Sequence, residues 1–260
     1  MSILESILLG IIQGLTEFLP VSSSGHIEIG KTLLNSSFFE KENLLFTVIL
    51  HFATAISTII VFRKTIADVL RGLIKQEKKE IAFSFKIVIS MVPAALIGFF
   101  LEDEIANLFS GSLSFVGYML IITALLLYLA DKAKATARNV GYTDSFIIGI
   151  AQAIAILPGI SRSGSTIATS VLLGIDKKKS AEFSFLMVIP LILGKIAKDI
   201  LSGELEALSS VNFLPFLFGF LAALVSGYFA CNWMLDVVRR SKLTYFAVYC
   251  LIVGIIAINN

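Results

Sequence analysis

Charged residues are scarce in this chain: they make up 15% of its 260 positions, whereas 57% are hydrophobic. A soluble domain of this size needs far more charge on its surface, so the composition indicates an integral membrane protein. The two cysteines, Cys231 and Cys250, lie in apolar runs without metal-ligand spacing, and we predict that they are packing residues. A net charge of +2 gives no reason to expect a nucleic-acid partner. No basic region precedes the first apolar run, so the N-terminus is expected to belong to the mature fold.

The apolar runs come in two lengths, one that can cross a bilayer alone and one that cannot. A spanning helix needs about 20 apolar residues. Six runs are predicted to be full spans: Leu44–Phe62, Ile81–Leu101, Leu113–Ala130, Phe183–Leu201, Phe213–Leu235 and Thr244–Ile258. Two further pairs of segments, Ile3–Leu19 with Ile27–Leu34 and Phe146–Ile156 with Ile167–Ile175, are broken at Pro20 and at Pro158-Gly159. Proline and glycine interrupt helices, so each pair is predicted to form a helical hairpin.

The charges in the connections give the predicted orientation. Basic residues cluster in alternate connections, at 63–79, 132–138, 177–179 and 239–242, whereas 102–104 and 203–210 are acidic. Basic connections favour the cytoplasmic side. This assignment places both termini outside and makes the two broken pairs re-entrant hairpins that enter from opposite faces.

The two hairpins also resemble each other in sequence. Five pairs of identical residues are 139 positions apart: Gly10 and Gly149, Gln13 and Gln152, Ser22 and Ser161, Ser24 and Ser163, and Gly25 and Gly164. The chain is therefore predicted to be one all-α membrane domain, 1–260, with inverted-repeat halves at about 1–131 and 140–260. In such folds the two broken elements meet near the bilayer midplane and form the site, because non-helical backbone is tolerated there only where it lines a cavity.

The second hairpin tip carries the residues of an anion site. Arg162 lies among hydroxyls at the start of a helical segment, where free backbone N–H groups are expected. The binding residues predicted for a phosphate are Ser161, Arg162, Ser163 and Thr166. The alternative is a polar kink in which Arg162 reaches the membrane interface.

The first hairpin tip carries groups that can do chemistry. Gln13 and Glu17 are one helical turn apart, and Glu17 is an ionisable residue in an apolar segment, which marks a functional site in membrane proteins. The tip adds the serines Ser22, Ser23 and Ser24, followed by His26. A histidine near a serine can activate a nucleophile or protonate a leaving group. The alternatives are a purely structural pairing of Glu17 with Arg162 and a helix-capping role for His26. His51 is predicted to be an interior packing residue.

The stretches Gln13–His26 and Pro158–Thr166 resemble the two signatures of the undecaprenyl-diphosphatase family, also called bacitracin-resistance proteins, and Ala181–Phe185 adds to the resemblance. It extends over essentially the whole chain. It implies a bacterial cytoplasmic-membrane phosphatase that converts undecaprenyl diphosphate to the monophosphate, recycles the lipid carrier for cell-wall synthesis and confers bacitracin resistance. The implied fold has interlocked re-entrant hairpins with a pocket that opens to the outer face.

The resemblance also implies roles for the candidate residues. Ser23 matches the proposed nucleophile, and a rival proposal gives that role to the histidine, here His26. Arg162 would grip the diphosphate, assisted by serines of both tips, and Glu17 would orient or deprotonate Ser23 or hold a divalent cation, Mg²⁺ or Ca²⁺. Many relatives carry glutamate at the position of Gln13, so a metal site formed by Glu17 and Gln13 would have one carboxylate fewer.

A transporter is the competing function, because inverted repeats with broken helices are an alternating-access architecture and Arg162 can bind a lipid phosphate without cleaving it. A transporter needs no nucleophile, so serine, histidine, carboxylate and arginine together favour the phosphatase. The glycine face from Gly219 to Gly227 is predicted to pack either internally or against a second copy in a homodimer.

Overall fold

The computed structural model of the protein describes residues 2–33, 40–100, 113–134, 136–201, 213–240 and 242–259. Within these ranges the chain is all helical, without a strand. The helices are α1 (Ile3–Phe18), α2 (Ser23–Leu33), α3 (Glu40–Val61), α4 (Arg63–Ile74), α5 (Lys78–Phe100), α6 (Leu113–Lys132), α7 (Tyr142–Ile154), α8 (Arg162–Leu172), α9 (Lys177–Leu201), α10 (Phe213–Arg239) and α11 (Leu243–Ile258).

Four of the described helices are long and apolar enough to cross a membrane: Lys78–Phe100, Leu113–Lys132, Lys177–Lys198 and Phe213–Val238. A fifth crossing results if the pair Leu45–Val61 and Arg63–Ile74, which is bent by 76°, counts as one span. The protein is therefore a multi-pass, all-helical membrane protein, as its composition predicted.

Two of the six predicted spans differ from the prediction. The last helix, α11, has 16 residues and is about 24 Å long at 1.5 Å per residue, shorter than the hydrocarbon core of about 30 Å. The first, α3, passes as a span only together with α4, and α4 occupies most of the stretch predicted to be a connection. The acidic connections at 102–104 and 203–210 lie outside the described residues, so the predicted orientation stays a prediction.

Both broken pairs are present as two helices joined by a short non-helical tip. The first tip runs from Leu19 to Ser22 and the second from Ala155 to Ser161. The helix after the second tip begins at Arg162, five residues before the apolar segment Ile167–Ile175, because Ser161 caps it: the Ser161 hydroxyl accepts a hydrogen bond from the Gly164 N–H at 3.0 Å.

Each hairpin packs against a long helix of the other half of the chain. Helix α1 runs along α10, α7 runs along α5, and α6 pairs with α11. Glycine permits both hairpin contacts. A Cβ on Gly10 would lie 2.4 Å from the Gly219 carbonyl oxygen, and one on Gly149 would lie 2.5 Å from the Ser90 carbonyl oxygen. Only glycine fits such close backbone contacts, so these two residues determine how closely each hairpin approaches its long helix.

The glycine face of α10 packs internally. A Cβ on Gly219 would lie 2.6 Å from the Phe46 ring, and one on Gly227 would lie 3.0 Å from the Ser57 hydroxyl. Of the two packing modes predicted for this face, the structure has the internal one. A homodimer would need another surface.

A buried aromatic group lies directly behind the first tip. The Phe18 and Phe185 rings pack edge to face with centroids 5.7 Å apart, and the Phe62 ring lies 6.2 Å from that of Phe185. Phe18 and Phe185 are both about 2% exposed. Since Phe18 follows Glu17 directly, this packing fixes the end of α1 from which the Glu17 carboxylate projects.

Candidate active site

The first tip owes its shape to a proline and a left-handed serine. Pro20 ends α1, and Ser22 has a positive φ of 73°, a conformation that residues other than glycine seldom adopt. The Ser22 hydroxyl accepts a hydrogen bond from the Gly25 N–H at 3.3 Å, so Ser22 caps α2. The turn leaves Ser23 as the first helical residue, with its side chain toward the end of α1.

The two tips are in direct contact. The Ser163 hydroxyl donates a hydrogen bond to the Leu19 carbonyl oxygen at 3.3 Å. A Cβ on Gly25 would lie 3.2 Å from the Gly159 Cα, and one on Gly164 would lie 3.2 Å from the Pro20 Cβ. The broken elements therefore meet, and their polar residues face a shared site.

Glu17 is the centre of that site. Its carboxylate is buried, and Oε2 accepts hydrogen bonds from the Ser23 hydroxyl at 2.7 Å and from the Gln13 side-chain amide at 2.9 Å. Its other oxygen, Oε1, forms an ion pair with the Arg162 guanidinium of the second hairpin. One carboxylate thus joins a hydroxyl, an amide and a guanidinium from both halves of the chain. A charge buried this deeply requires such partners.

His51 belongs to this network, and its prediction as a packing residue is wrong. Its Nδ1 lies 2.6 Å from the Gln13 amide nitrogen and 4.0 Å from Glu17 Oε2, and its side chain is 36% exposed. The Gln13 amide has two hydrogens, so it can donate one to Glu17 and one to His51. The rule that marked Glu17, that an ionisable group in an apolar membrane helix is functional, would also have marked His51.

His26 has contacts separate from the Glu17 network. Its Nδ1 lies 2.8 Å from the Ser22 carbonyl oxygen, and its Nε2 lies 2.8 Å from the Tyr249 hydroxyl. Among the hydrogen bonds of the described residues, none joins His26 to Ser23 or Glu17. No motif or charge pattern marked Tyr249, which lies 223 residues further along the chain.

The other predicted phosphate-binding hydroxyls are largely engaged within the tips. The Ser22 hydroxyl lies 3.3 Å from that of Ser24, and the Ser161 hydroxyl lies 3.4 Å from that of Ser163. Thr166 is fully buried, and its hydroxyl bonds to the Arg162 carbonyl oxygen at 2.8 Å and to the Ser184 hydroxyl. These side chains hold the tips in shape, and Arg162 is the cationic group directed at Glu17.

A small cleft is lined by the charged pair together with apolar and hydroxyl side chains. Glu17 and Arg162 are its charged lining residues. The remaining walls come from α1, α3 and α9, and these lining residues are Phe18, Thr54, Ala55, Thr58, Phe185, Val188 and Ile192. The cationic Arg162 thus lies beside apolar side chains of α3 and α9, a combination that suits the head group and the first carbons of an anionic lipid.

The donors around Glu17 fit a divalent cation only with help from a ligand. No group of three or more histidine, cysteine, aspartate or glutamate side chains with metal-site geometry occurs within the described ranges. However, the buried Gln13 Oε1 has no hydrogen-bond partner there, and an amide oxygen beside a carboxylate is a hard-cation donor pair. Mg²⁺ is usually held by one or two protein oxygens together with substrate phosphates and water, so Glu17 and Gln13 fit that pattern.

Comparison with known proteins shows which family the chain resembles over its whole length. A family model described as "Bacitracin resistance protein BacA" matches residues 6–256. The chain is similar to the undecaprenyl-diphosphatase of Christiangramia forsetii, with 59% identity over 259 residues that cover 99% of this chain and 98% of the relative. It is also similar to the undecaprenyl-diphosphatases of Bacteroides fragilis, 49% identical over 98% of this chain and 96% of the relative, and of Halothermothrix orenii, 43% identical over 99% and 98%.

Proposed function

The chain belongs to the bacitracin resistance protein BacA family, and we propose that it is a membrane phosphatase that hydrolyses undecaprenyl diphosphate to undecaprenyl phosphate and inorganic phosphate. The observation that carries this proposal is the hydrogen bond from Ser23 to Glu17 at 2.7 Å, with Arg162 on the other carboxylate oxygen. An anion-binding transporter needs the arginine but not a hydroxyl paired with a base. In a cell this activity would recycle the lipid carrier for cell-wall synthesis and confer bacitracin resistance.

The hydroxyl and the carboxylate define the first chemical step. Glu17 takes the Ser23 proton as the serine oxygen attacks the terminal phosphorus of the diphosphate. The bond from that phosphorus to the bridging oxygen breaks, and undecaprenyl phosphate leaves with the bridging oxygen. Arg162 holds non-bridging oxygens, where negative charge develops, by a forked pair of N–H donors. The substrate phosphates therefore compete with Glu17 for the guanidinium when they bind.

A second step releases the phosphate. The oxygen of a water molecule bonds to the phosphorus of the phosphoserine as the bond from that phosphorus to Ser23 Oγ breaks, Glu17 returns its proton to Oγ, and inorganic phosphate leaves with both water hydrogens as H2PO4⁻. His26 lies on the neighbouring turn of α2 and would assist proton transfer at the leaving group. The hydrogen bond to Glu17 favours Ser23 over His26 as the nucleophile, because His26 has no carboxylate partner in the described site.

The proposed cofactor is a divalent cation, Mg²⁺ or Ca²⁺, held by Glu17, Gln13 Oε1 and the substrate oxygens. When bound, it would neutralise diphosphate charge and stabilise the leaving monophosphate. The prenyl chain would follow the apolar walls of the cleft, between α3 and α9, toward the surrounding lipid.

The proposed topology is six crossings and two re-entrant hairpins in an inverted repeat, in the bacterial cytoplasmic membrane. Both termini and the opening of the site would face outward. The exchange of packing partners between the halves supports the repeat, with α1 on α10 matching α7 on α5. Single cysteines at Ser2, Lys178 and Asn259, labelled with an impermeant maleimide in intact cells, test the orientation: Ser2→Cys and Asn259→Cys should react and Lys178→Cys should not. The native Cys231 and Cys250 are buried and give a low background.

Phosphate release from undecaprenyl diphosphate by the purified protein tests the activity. Mg²⁺-dependent release by the wild type should fall at least about a thousandfold in Ser23→Ala. The matched control is Ser145→Ala, which removes a hydroxyl that donates to the Gly141 carbonyl oxygen at the start of α7, the end away from the tip, and it should keep its activity. A folded wild type that binds the lipid without releasing phosphate would favour a transporter.

A further inference from the structure

Helix α11 reaches the first hairpin tip through two consecutive residues. The Tyr249 hydroxyl lies 2.8 Å from His26 Nε2, and the Cys250 thiol donates to the Pro20 carbonyl oxygen at 3.6 Å. The Tyr249 ring also stacks on the His26 ring, with centroids 5.6 Å apart and planes inclined by 14°. A helix from the second half of the chain therefore holds the backbone and the histidine of the first tip.

The two hydrogen bonds of His26 assign its tautomer. The partner of Nδ1 is the Ser22 carbonyl oxygen, which can only accept, so Nδ1 must have the proton. In the neutral ring Nε2 is then the acceptor, and the Tyr249 hydroxyl donates to it. A tyrosine hydroxyl can also accept, so the same contact persists if Nε2 gains a proton. Tyr249 is thus suited to hold the ring whether or not Nε2 has a proton.

We propose that Tyr249 is a positioning residue for His26: its hydroxyl, bonded to Nε2, and its ring hold the Nδ1–H imidazole in one orientation, and substrate binding then replaces the hydroxyl at Nε2 by a reacting group. The proposal rests on the proposed function only for its catalytic consequence. The contact itself involves no substrate. Tyr249, in the second half of the chain, would thereby fix the orientation of His26 in the first half. Arg162 and Glu17 form a similar contact between the halves.

The histidine tautomer can be measured without any activity. The chain has only two histidines, so protein labelled with [15N]histidine in detergent micelles gives two imidazole spin systems, and His51→Gln assigns them. His26 should show the Nδ1–H tautomer, and its Nε2 resonance should shift in Tyr249→Phe, which removes the hydroxyl and keeps the ring. Tyr245→Phe, one turn earlier on α11 with its side chain largely exposed, is the matched control and should leave the His26 signals unchanged. An Nε2–H tautomer in the wild type, or spectra unaltered by Tyr249→Phe, would overturn the proposal.

Kinetics then test the consequence for the reaction. Loss of one neutral hydrogen bond should lower kcat about 3- to 10-fold in Tyr249→Phe, with KM within about twofold of the wild type. In a His26→Ala background, Tyr249→Phe should cause no further loss, because the residue it positions is gone. Equal losses in both backgrounds would show that Tyr249 acts independently of His26 and would sink the idea. A wild type that shows the predicted spectra but releases no phosphate would refute the proposed function and leave the positioning contact intact.

Discussion

At the first tip the residues after the break are Ser22, Ser23 and Ser24, and at the second they are Ser161, Arg162 and Ser163. The first serine of each set has the same task. Ser22 accepts a hydrogen bond from the Gly25 N–H at 3.3 Å, and Ser161 accepts one from the Gly164 N–H at 3.0 Å. Both serines cap the helix that follows. We call each hairpin a frame, α1 to α2 being the first frame and α7 to α8 the second, and the capping serine is a feature that both frames share.

The middle residue of each set is where the tips differ. Ser23 and Arg162 occupy equivalent places, 139 positions apart, and both contact the Glu17 carboxylate. The residue equivalent to Glu17 in the second hairpin is Ile156, and the residue equivalent to His26 is Ser165. One frame thus presents the base and the hydroxyl, and the other presents the cation. The site is complete only where the two frames meet.

The helices that lead into the tips begin alike as well. The Ser2 N–H donates to the Glu5 carboxylate at 2.8 Å, and the Gly141 N–H donates to the Asp144 carboxylate at 2.7 Å. Both pairs stand 139 positions apart, in register with the five identities of the tips. The carboxylates satisfy free N–H groups at the helix starts. The likeness therefore extends to the starts of α1 and α7, whereas α7 ends at Ile154, three residues short of the position equivalent to the end of α1.

Removing the ion pair that joins the two frames should have the largest effect on phosphate release and on stability. Arg162→Ala leaves the buried Glu17 carboxylate without its cation, so we expect about a thousandfold loss of phosphate release together with a clear drop in melting temperature. Adding Glu17→Gln should restore much of the thermal stability and none of the activity. Arg71→Ala removes an exposed arginine that pairs with Asp68 on the surface, and it should change neither quantity. A stable Arg162→Ala protein would contradict the pairing.

A substitution of Gln13 tests the proposed cation site in the first frame. Gln13→Glu adds a carboxylate where Oε1 lacks a partner, so the Mg²⁺ concentration for half-maximal activity should fall by about tenfold. Metal removal with a chelator should abolish phosphate release in the wild type and in the variant, and added Mg²⁺ should restore it. Glu5→Gln, at the exposed start of the same helix, serves as the control. An unchanged Mg²⁺ requirement in Gln13→Glu would remove Gln13 from the proposed cation site.

The hairpin frames should respond alike to a change that affects only their packing. Gly10→Ala and Gly149→Ala each push a methyl group against a carbonyl oxygen of a long helix, and overpacking of this kind costs about 1–3 kcal/mol. Both variants should lower the melting temperature by similar amounts. Gly98→Ala is the control, because a Cβ there would have no atom of the described residues within 4 Å. Very different losses at the two positions would show that the frames are not equivalent in packing.

The sequence was most informative where a single segment sets the structure. Composition predicted an all-helical membrane protein, and the prolines marked both broken pairs. The inverted repeat predicted that the two tips meet, which brings Glu17 and Arg162 into one site, and the pairing of these two residues was the alternative given for Glu17. His51 and Tyr249 could not be placed in the same way. They reach the tips from α3 and α11, 38 and 223 residues from their partners, and such contacts depend on how the helices pack. The short α11 and the bend after Val61 likewise follow from tertiary packing, which hydropathy does not record.

The smallest expected effect comes from replacing Gln152, the residue that the repeat makes equivalent to Gln13. Gln13 bonds to Glu17 and His51, whereas Gln152 is 2% exposed and neither polar atom of its amide has a hydrogen-bond partner in the described ranges. An unpartnered buried amide is destabilising, so replacing it by an apolar side chain of similar shape should relieve the cost. Gln152→Met should therefore raise the melting temperature by a few degrees and leave phosphate release within about twofold. Gln13→Met should instead lower phosphate release about tenfold, since it removes a donor to the Glu17 carboxylate. If Gln152→Met lowered both stability and activity, Gln152 would have a polar partner of its own, and the second frame would contribute more than its arginine.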